Sequence, residues 1–163
     1  MRSLSVAVLV GLVTVAGVAR ADVHTSKAGK VSIDLPKKWS VNETDELIRA
    51  ASPDNQVAFV FWVIDSADVK PALTKLEGEL YSSVQGLRWV DKTKKVKINS
   101  LPGTFVEGVG VNAAASQLDL LVTVAGPTKT KKGVILLAVV EHDKLKANRP
   151  TIQAIFQTLK STK

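Results

Sequence analysis

The triplet Glu141-His142-Asp143 brings together the residue types most suited to metal or acid–base chemistry in this chain, which has one further histidine, His24. A lasting zinc site needs three or four well-placed ligands. Three consecutive residues at the end of a strand point in different directions, so the triplet makes a poor metal cage. The pattern favours a polar strand exit in which Asp143 caps the next turn. We predict no metal site.

Two further carboxylates, Glu107 and Asp119, lie on neighbouring predicted strands, and each alternates with mostly apolar residues. An acid in an apolar row can have a raised pKa and work as an acid or base, and glycosidases use such carboxylates in pairs. More often the acid lies at a strand edge or pairs with a lysine. A hydrolase built on Glu107, Asp119, Glu141 and His142 is therefore the less favoured alternative, and we assign no catalytic residue.

Other common chemistries lack their residues. The chain has no cysteine, which excludes disulfides, thiolate metal sites and a cysteine nucleophile. It also has no G-x-S-x-G elbow of a serine hydrolase. Gly108 and Gly110 alternate on one predicted strand without a following helix, so they form no phosphate loop. They either let a helix approach closely or leave a groove for a ligand. We predict no cofactor.

Basic residues form two predicted clusters. One cluster, Lys129, Lys131 and Lys132, lies in the loop GPTKTKKG. The larger one is expected at the opposite end of the sheet, where it could bind an anionic polymer, lipid headgroups or an acidic partner. The alternative is a solvated rim that protects edge strands. The candidate binding residues are the larger cluster and a tryptophan expected at a pocket rim: Lys92, Lys94, Lys95, Lys144, Lys146, Arg149 and Trp89.

The elements that must position these residues follow from apolar periodicity. We predict strands over residues 30–35, 46–52, 57–64, 89–99, 104–111, 118–125 and 134–141, with a turn at Leu101-Pro102-Gly103. One helix runs from the N-cap Asp68 towards Gly86, and another has Pro150 in its first turn. The order predicts an α+β fold, an α/β/α sandwich with one mostly antiparallel sheet of six to seven strands and a helix on each face.

The segment VAFVFWVI, residues 57–64, is apolar at every position, which predicts a strand buried on both faces. Trp62 within it is therefore expected in the core. Trp39 follows the strand-ending Pro36 and is expected to be core or to plug an end of the sheet.

The N-terminus has the layout of a secretory signal peptide. Arg2 precedes an apolar run over residues 4–18 and the small residues Ala19 and Ala21. The run is shorter than the roughly 20 residues of a spanning helix. We predict a signal peptide over residues 1–21, a single domain over residues 22–163, and no membrane span after cleavage. Removal of Arg2 and Arg20 leaves 20 basic against 15 acidic residues, a net charge of +5.

The chain resembles the PsbP-like family, whose fold is shared with the Ran-binding nuclear import factor and with bacterial DcrB-type envelope proteins. The residues that carry the resemblance are GKVSIDLPKKW (29–39), the apolar strand and helix over residues 57–64 and 68–85, the LPG turn leading into TFVEGVGV, and the closing strand and helix. The family consists mostly of accessory and interaction proteins, and it supplies no shared catalytic motif.

Together these observations favour an exported, non-enzymatic accessory or binding domain of the bacterial cell envelope, periplasmic or extracellular. Its partner would be an unknown protein or an anionic envelope component, and nucleic acid is not expected. A carrier of a small molecule or anionic ligand is the alternative, and a hydrolase that uses carboxylates is less favoured than either.

Overall fold

A computed structural model describes residues 21–163, so the predicted signal peptide, apart from its last residue, lies outside the described residues. The described part has two helices, α1 (Val69–Leu80) and α2 (His142–Gln157). Its strands are β1 (Ala21–Ser26), β2 (Val31–Pro36), β3 (Ser40–Glu43), β4 (Leu47–Ala51), β5 (Val57–Ile64), β6 (Gln85–Trp89), β7 (Lys94–Ile98), β8 (Leu101–Val111), β9 (Gln117–Ala125), β10 (Gly133–Glu141) and β11 (Lys160–Ser161).

The strands form two sheets in which every described pair is antiparallel. The larger sheet has eight strands in the order β3-β4-β5-β10-β9-β8-β6, and β7 also pairs with β8. β6 and β7 share one edge, because β6 pairs with the end of the long strand β8 and β7 with its beginning. The smaller sheet has the order β1-β2-β11.

Alternate residues of the central strands belong to two separate hydrophobic clusters. One contains the buried side chains of β2 and α2, and in it the rings of Phe59 and Phe156 lie 6.1 Å apart at 57°. The other contains Leu76 of α1 with Leu120 and Ile135 of the sheet. Full burial of such an apolar side chain contributes roughly 1.5–3 kcal/mol. These clusters therefore hold α1 and α2 on the sheet.

The prediction of an α+β fold with mostly antiparallel strands and two helices is confirmed. The predicted strand number was too low, because the main sheet has eight strands and a second sheet of three accompanies it. β1 and β3 were missed because most of their residues are exposed. Without alternating apolar residues, the sequence carries no period for such strands.

Two predicted boundaries on the edge of the sheet were wrong. Residues 89–99 are not one strand, since β6 ends at Trp89 and β7 begins at Lys94. The predicted LPG turn is the beginning of β8. The chain reverses instead near Asn99, whose φ of 52° is left-handed, a conformation that asparagine tolerates better than most residues.

The second helix begins eight residues before Pro150 and contains this proline in its interior. Its three buried residues, Ile152, Ile155 and Phe156, all follow the proline. The apolar period therefore marks only the C-terminal half of α2, which explains the late predicted start.

Strand β5 is fully buried on one face and partly buried on the other. On the second face Ile64 is buried, Val60 and Trp62 are partly exposed and Ala58 is exposed, so the expectation of burial on both faces holds only in part. The Nζ atom of Lys75 lies 4.2 Å from the centre of the Trp62 ring and partly covers it. Trp39 is partly buried and packs against the cluster that contains α2. Within the described residues, neither helix has the length and apolar content needed to cross a membrane.

Candidate functional site

A cleft of about 380 Å³ lies between α2 and strands β7, β8 and β9. We call it the α2 cleft. Its polar lining residues are Lys94, Glu107, Thr123, Arg149, Gln153 and Gln157, and its apolar ones are Val96, Ile98, Phe105 and Phe156. Apolar walls with a few convergent polar groups are typical of ligand sites in this size range.

Strand register explains why these residues converge. Lys94 is paired with Phe105, and Phe105 is paired in turn with Thr123. Directly paired residues of antiparallel strands project from the same face, so one row crosses three strands. Above this row, Arg149 and Gln153 lie four residues apart on α2 and therefore on the same side of the helix.

An ion pair crosses the α2 cleft from the helix to the sheet. The Nη2 atom of Arg149 lies 3.0 Å from Oε1 of Glu107, and the two side chains are 36% and 38% exposed. A guanidinium has five N–H donors, so this contact orients Arg149 and leaves further donors for a ligand. With Lys94, the α2 cleft has two cationic side chains and one carboxylate, which favours an anionic group or a hydrogen-bond acceptor.

The second carboxylate considered for catalysis is also paired with a basic side chain. The Oδ2 atom of Asp119 lies 2.8 Å from Nδ1 of His142. The side chain of Asp119 is 13% exposed and that of His142 is 60% exposed. Asp119 and Glu107 project from the same face of the sheet but contact different partners. In the part of the chain that the structure describes, no group of three or more His, Cys, Asp or Glu side chains could hold a metal ion.

The side chains of the triplet Glu141-His142-Asp143 make separate contacts, and the prediction that Asp143 caps the next turn was wrong, because α2 already begins at His142. Glu141 occupies the N-cap position of α2 without a side-chain capping bond. Asp143 lies in the first helical turn, where a carboxylate is favourable. Its Oδ2 lies 3.0 Å from Nζ of Lys144, and the hydrogen bond and charge of Asp143 raise the pKa of Lys144.

Of the seven candidate binding residues, Lys94 and Arg149 line the α2 cleft. Lys95 projects from the other face of β7, and its Nζ donates to Oγ1 of Thr104 at 3.1 Å. Trp89 packs with the α1 cluster, and its Nε1 donates to Oε1 of Glu77 at 2.6 Å. Lys144 pairs with Asp143, and Lys92 and Lys146 are exposed outside the α2 cleft.

Sequence reasoning missed the polar residues Thr123, Gln153 and Gln157. Their types carry no chemical signal on their own. Gln153 and Gln157 lie inside the predicted helix, next to the buried residues Ile152 and Phe156, so only the position of the cleft at the border of the apolar face identifies them.

The face of β8 that carries Gly108 and Gly110 is filled by the protein itself. A Cβ atom on Gly108 would lie 2.7 Å from Cε3 of Trp89, and one on Gly110 would lie 2.4 Å from Cγ1 of Val84. These glycines therefore admit close neighbours, but the neighbours belong to β6 and to the segment before it and not to a helix, as one interpretation of their spacing had it.

The chain matches no protein-family model and no curated protein sequence. It is similar in structure to cyanobacterial PsbP (CyanoP) from Synechocystis sp. PCC 6803, with a TM-score of 0.62 and 7% identity over 93% of this chain and 98% of that one. It is also similar to the Ran-binding protein Mog1p of Saccharomyces cerevisiae, with a TM-score of 0.53 and 11% identity over 88% and 96% of the two chains.

A third similar structure is LpqN, described as involved in cell envelope biogenesis of Mycobacterium tuberculosis. Its TM-score is 0.57, with 12% identity over 88% of this chain and 91% of that one. The chain therefore has the PsbP-like fold, which is the fold of the family that its sequence resembles.

Proposed function

We propose that the protein is an exported, non-enzymatic binding domain of the bacterial cell envelope, and that it holds a partner protein at the α2 cleft. One observation carries this proposal: Lys94 of β7 and Arg149 of α2, which are distant in sequence, converge on one cleft with apolar walls. Glu107 forms an ion pair with Arg149, whereas Asp119 is hydrogen-bonded to His142, so the two acids have different partners, which supports binding over catalysis by a carboxylate pair.

The export part of the proposal rests on the sequence of residues 1–21. Cleavage after Ala21 would leave the remaining residues of β1, Asp22 to Ser26, still paired with β2. The mature protein would then be a single domain over residues 22–163. The envelope assignment is supported by the structural likeness to LpqN, which is involved in cell envelope biogenesis in its own organism.

Export is tested by N-terminal sequencing of the protein recovered from the cell envelope and from the medium. A mature N-terminus at Asp22 supports the proposal, and the fraction that contains the protein distinguishes a periplasmic from an extracellular location. A protein that keeps residues 1–21 and stays in the cytoplasm would contradict it.

The partner site is tested by capture from an envelope extract on immobilised protein, with three forms compared in parallel. Lys94→Glu reverses a charge in the α2 cleft. Lys97→Glu makes the same change three residues away on β7, where alternation directs the side chain to the other face. Both lysines are exposed, so both variants are expected to fold, which circular dichroism checks.

We expect a defined partner protein that wild type and Lys97→Glu retain and that Lys94→Glu retains about tenfold less, because charge reversal in an interface weakens binding. Retention through a high-salt wash would show that apolar contacts contribute, since salt screens exposed charges. Equal loss in both variants would indicate general attraction to basic charge and would contradict the role of the α2 cleft.

A further inference from the structure

A second cleft, of about 370 Å³, opens on the opposite face of the sheet, between α1 and strands β4 and β5. We call it the α1 cleft. Its lining residues are Leu47, Arg49, Val60, Trp62, Leu76, Glu79, Leu80, Ser83 and Leu137. Leu76 and Leu137 belong to the α1 cluster, whereas Phe105 and Phe156 of the α2 cleft pack in the other cluster. The sheet therefore separates the two clefts.

The floor of the α1 cleft is apolar and incompletely covered. Val60 and Trp62 of β5 and Leu47 of β4 remain partly exposed although β5 is a central strand. A strand that is apolar at every position is normally covered by other structure on both faces, which removes its side chains from water. A ligand with an apolar chain would complete this burial.

The rim of the α1 cleft supplies positive charge. The Nη2 atom of Arg49 lies 4.0 Å from Oε2 of Glu79, with side chains that are 63% and 56% exposed. An ion pair this long and this exposed contributes little to stability, so its opening costs little. Nζ of Lys75 lies 4.2 Å from the centre of the Trp62 ring, which brings a second cation over the floor.

We propose that the α1 cleft binds a free monocarboxylate with one medium-length, unbranched apolar chain. The chain lies on Val60, Trp62 and Leu137. The ligand carboxylate replaces that of Glu79 on Arg49, where two parallel hydrogen bonds to the guanidinium are possible. Two cations and one carboxylate at the rim favour an anionic head over a neutral or cationic one.

Isothermal titration calorimetry with decanoate, below the concentration at which it forms micelles, tests the proposal. We expect saturable binding at one site per protein. 1-Decanol has the same chain without the charge and is expected to bind about tenfold more weakly, which is the usual scale for loss of a charge-assisted hydrogen bond. Acetate, which lacks the chain, is expected not to bind.

Three variants locate the binding. Arg49→Gln should lower decanoate affinity about tenfold and leave 1-decanol affinity unchanged. Val60→Trp fills the cleft and should abolish binding of both ligands. Lys94→Gln changes a cation of the α2 cleft and should leave decanoate affinity unchanged, which separates this site from the proposed partner site.

The proposal is overturned if decanoate does not bind, if Arg49→Gln leaves its affinity unchanged, or if 1-decanol binds equally well. Co-sedimentation with phosphatidylglycerol vesicles without binding of monomeric decanoate would also overturn it, because a lipid surface would then be the ligand. Since Arg49→Gln alters only an exposed side chain, its result can be interpreted even if Val60→Trp fails to fold.

Discussion

Replacement of Gly108 by alanine tests how tightly β8 packs against the α1 side of the molecule. The added Cβ would lie 2.7 Å from Cε3 of Trp89, about 0.7 Å inside the ordinary contact limit of 3.4 Å. The indole cannot withdraw freely, because its Nε1 is bonded to Glu77 and the backbone of Trp89 pairs directly with Gly108. We expect the free energy of unfolding to fall by about 1–3 kcal/mol, as in other overpacked cores.

Urea denaturation followed by far-UV circular dichroism measures this effect as a lower midpoint at unchanged slope. Gly78→Ala is the matched control, because nothing lies within 4 Å of a Cβ at this position in α1. It should raise stability by about 0.8–1 kcal/mol through helix propensity. The double variant Gly108→Ala/Trp89→Leu should lose less unfolding free energy than the two single variants together. We expect the difference to be about 0.5–3 kcal/mol.

The reasoning would be refuted if Gly108→Ala were as stable as wild type while Gly78→Ala showed its expected gain. The indole would then be free to move, and the space beside Gly108 would be open. This result would favour the alternative interpretation, in which the glycines leave a groove for a ligand.

Three further predictions concern the framework of both clefts. Asp54, which accepts hydrogen bonds from Ser52 Oγ and the Gln56 N–H, has a lowered pKa, so its stabilisation is present above the unfolded pKa and is lost as pH falls through the folded one. Asp54→Asn should therefore lower the urea midpoint at pH about 7 and have less effect near pH 2. Asn99 donates to the carbonyl oxygens of Gln157 and Leu159 at 3.1 and 2.7 Å. Asn99→Gly, which keeps the left-handed conformation, should cost about 1 kcal/mol and Asn99→Ala more, by the same assay. Leu136 is fully buried, and Leu136→Ala should cost about 2–5 kcal/mol, seen by calorimetry as a lower Tm.

The sequence predicts the central elements well because burial imposes a period on them. β5, β9 and β10 are runs of apolar residues, and α1 follows a helical period, so their types and approximate bounds follow from the residues alone. β1 and β3 are held by backbone pairing with a neighbour, which leaves no pattern in exposed side chains. Their existence depends on the tertiary structure.

The sequence predicted that Lys94 and Arg149 belong to one basic cluster, but not that they line a cleft between α2 and the sheet, and the difference has two physical reasons. Arg149 was expected just before the second helix, but α2 begins at His142 and includes it, and the first half of α2 has no fully buried residue to mark it. The break between β6 and β7 places Lys94 beside Phe105 in the middle of the sheet edge. A single strand over residues 89–99 would instead place this lysine towards the far end of the sheet.

The same alternation that builds the two cores also makes the two clefts chemically different. Residues of β8 and β9 that face α2 include Glu107 and Thr123, so the α2 cleft has polar groups on an apolar wall. On the α1 side, the sheet contributes the apolar residues Val60, Trp62 and Leu137, and its one charged lining residue, Arg49 of β4, lies at the rim of the cleft. A partner that needs specific polar contacts therefore fits the α2 cleft, and an apolar chain with one charged end fits the α1 cleft.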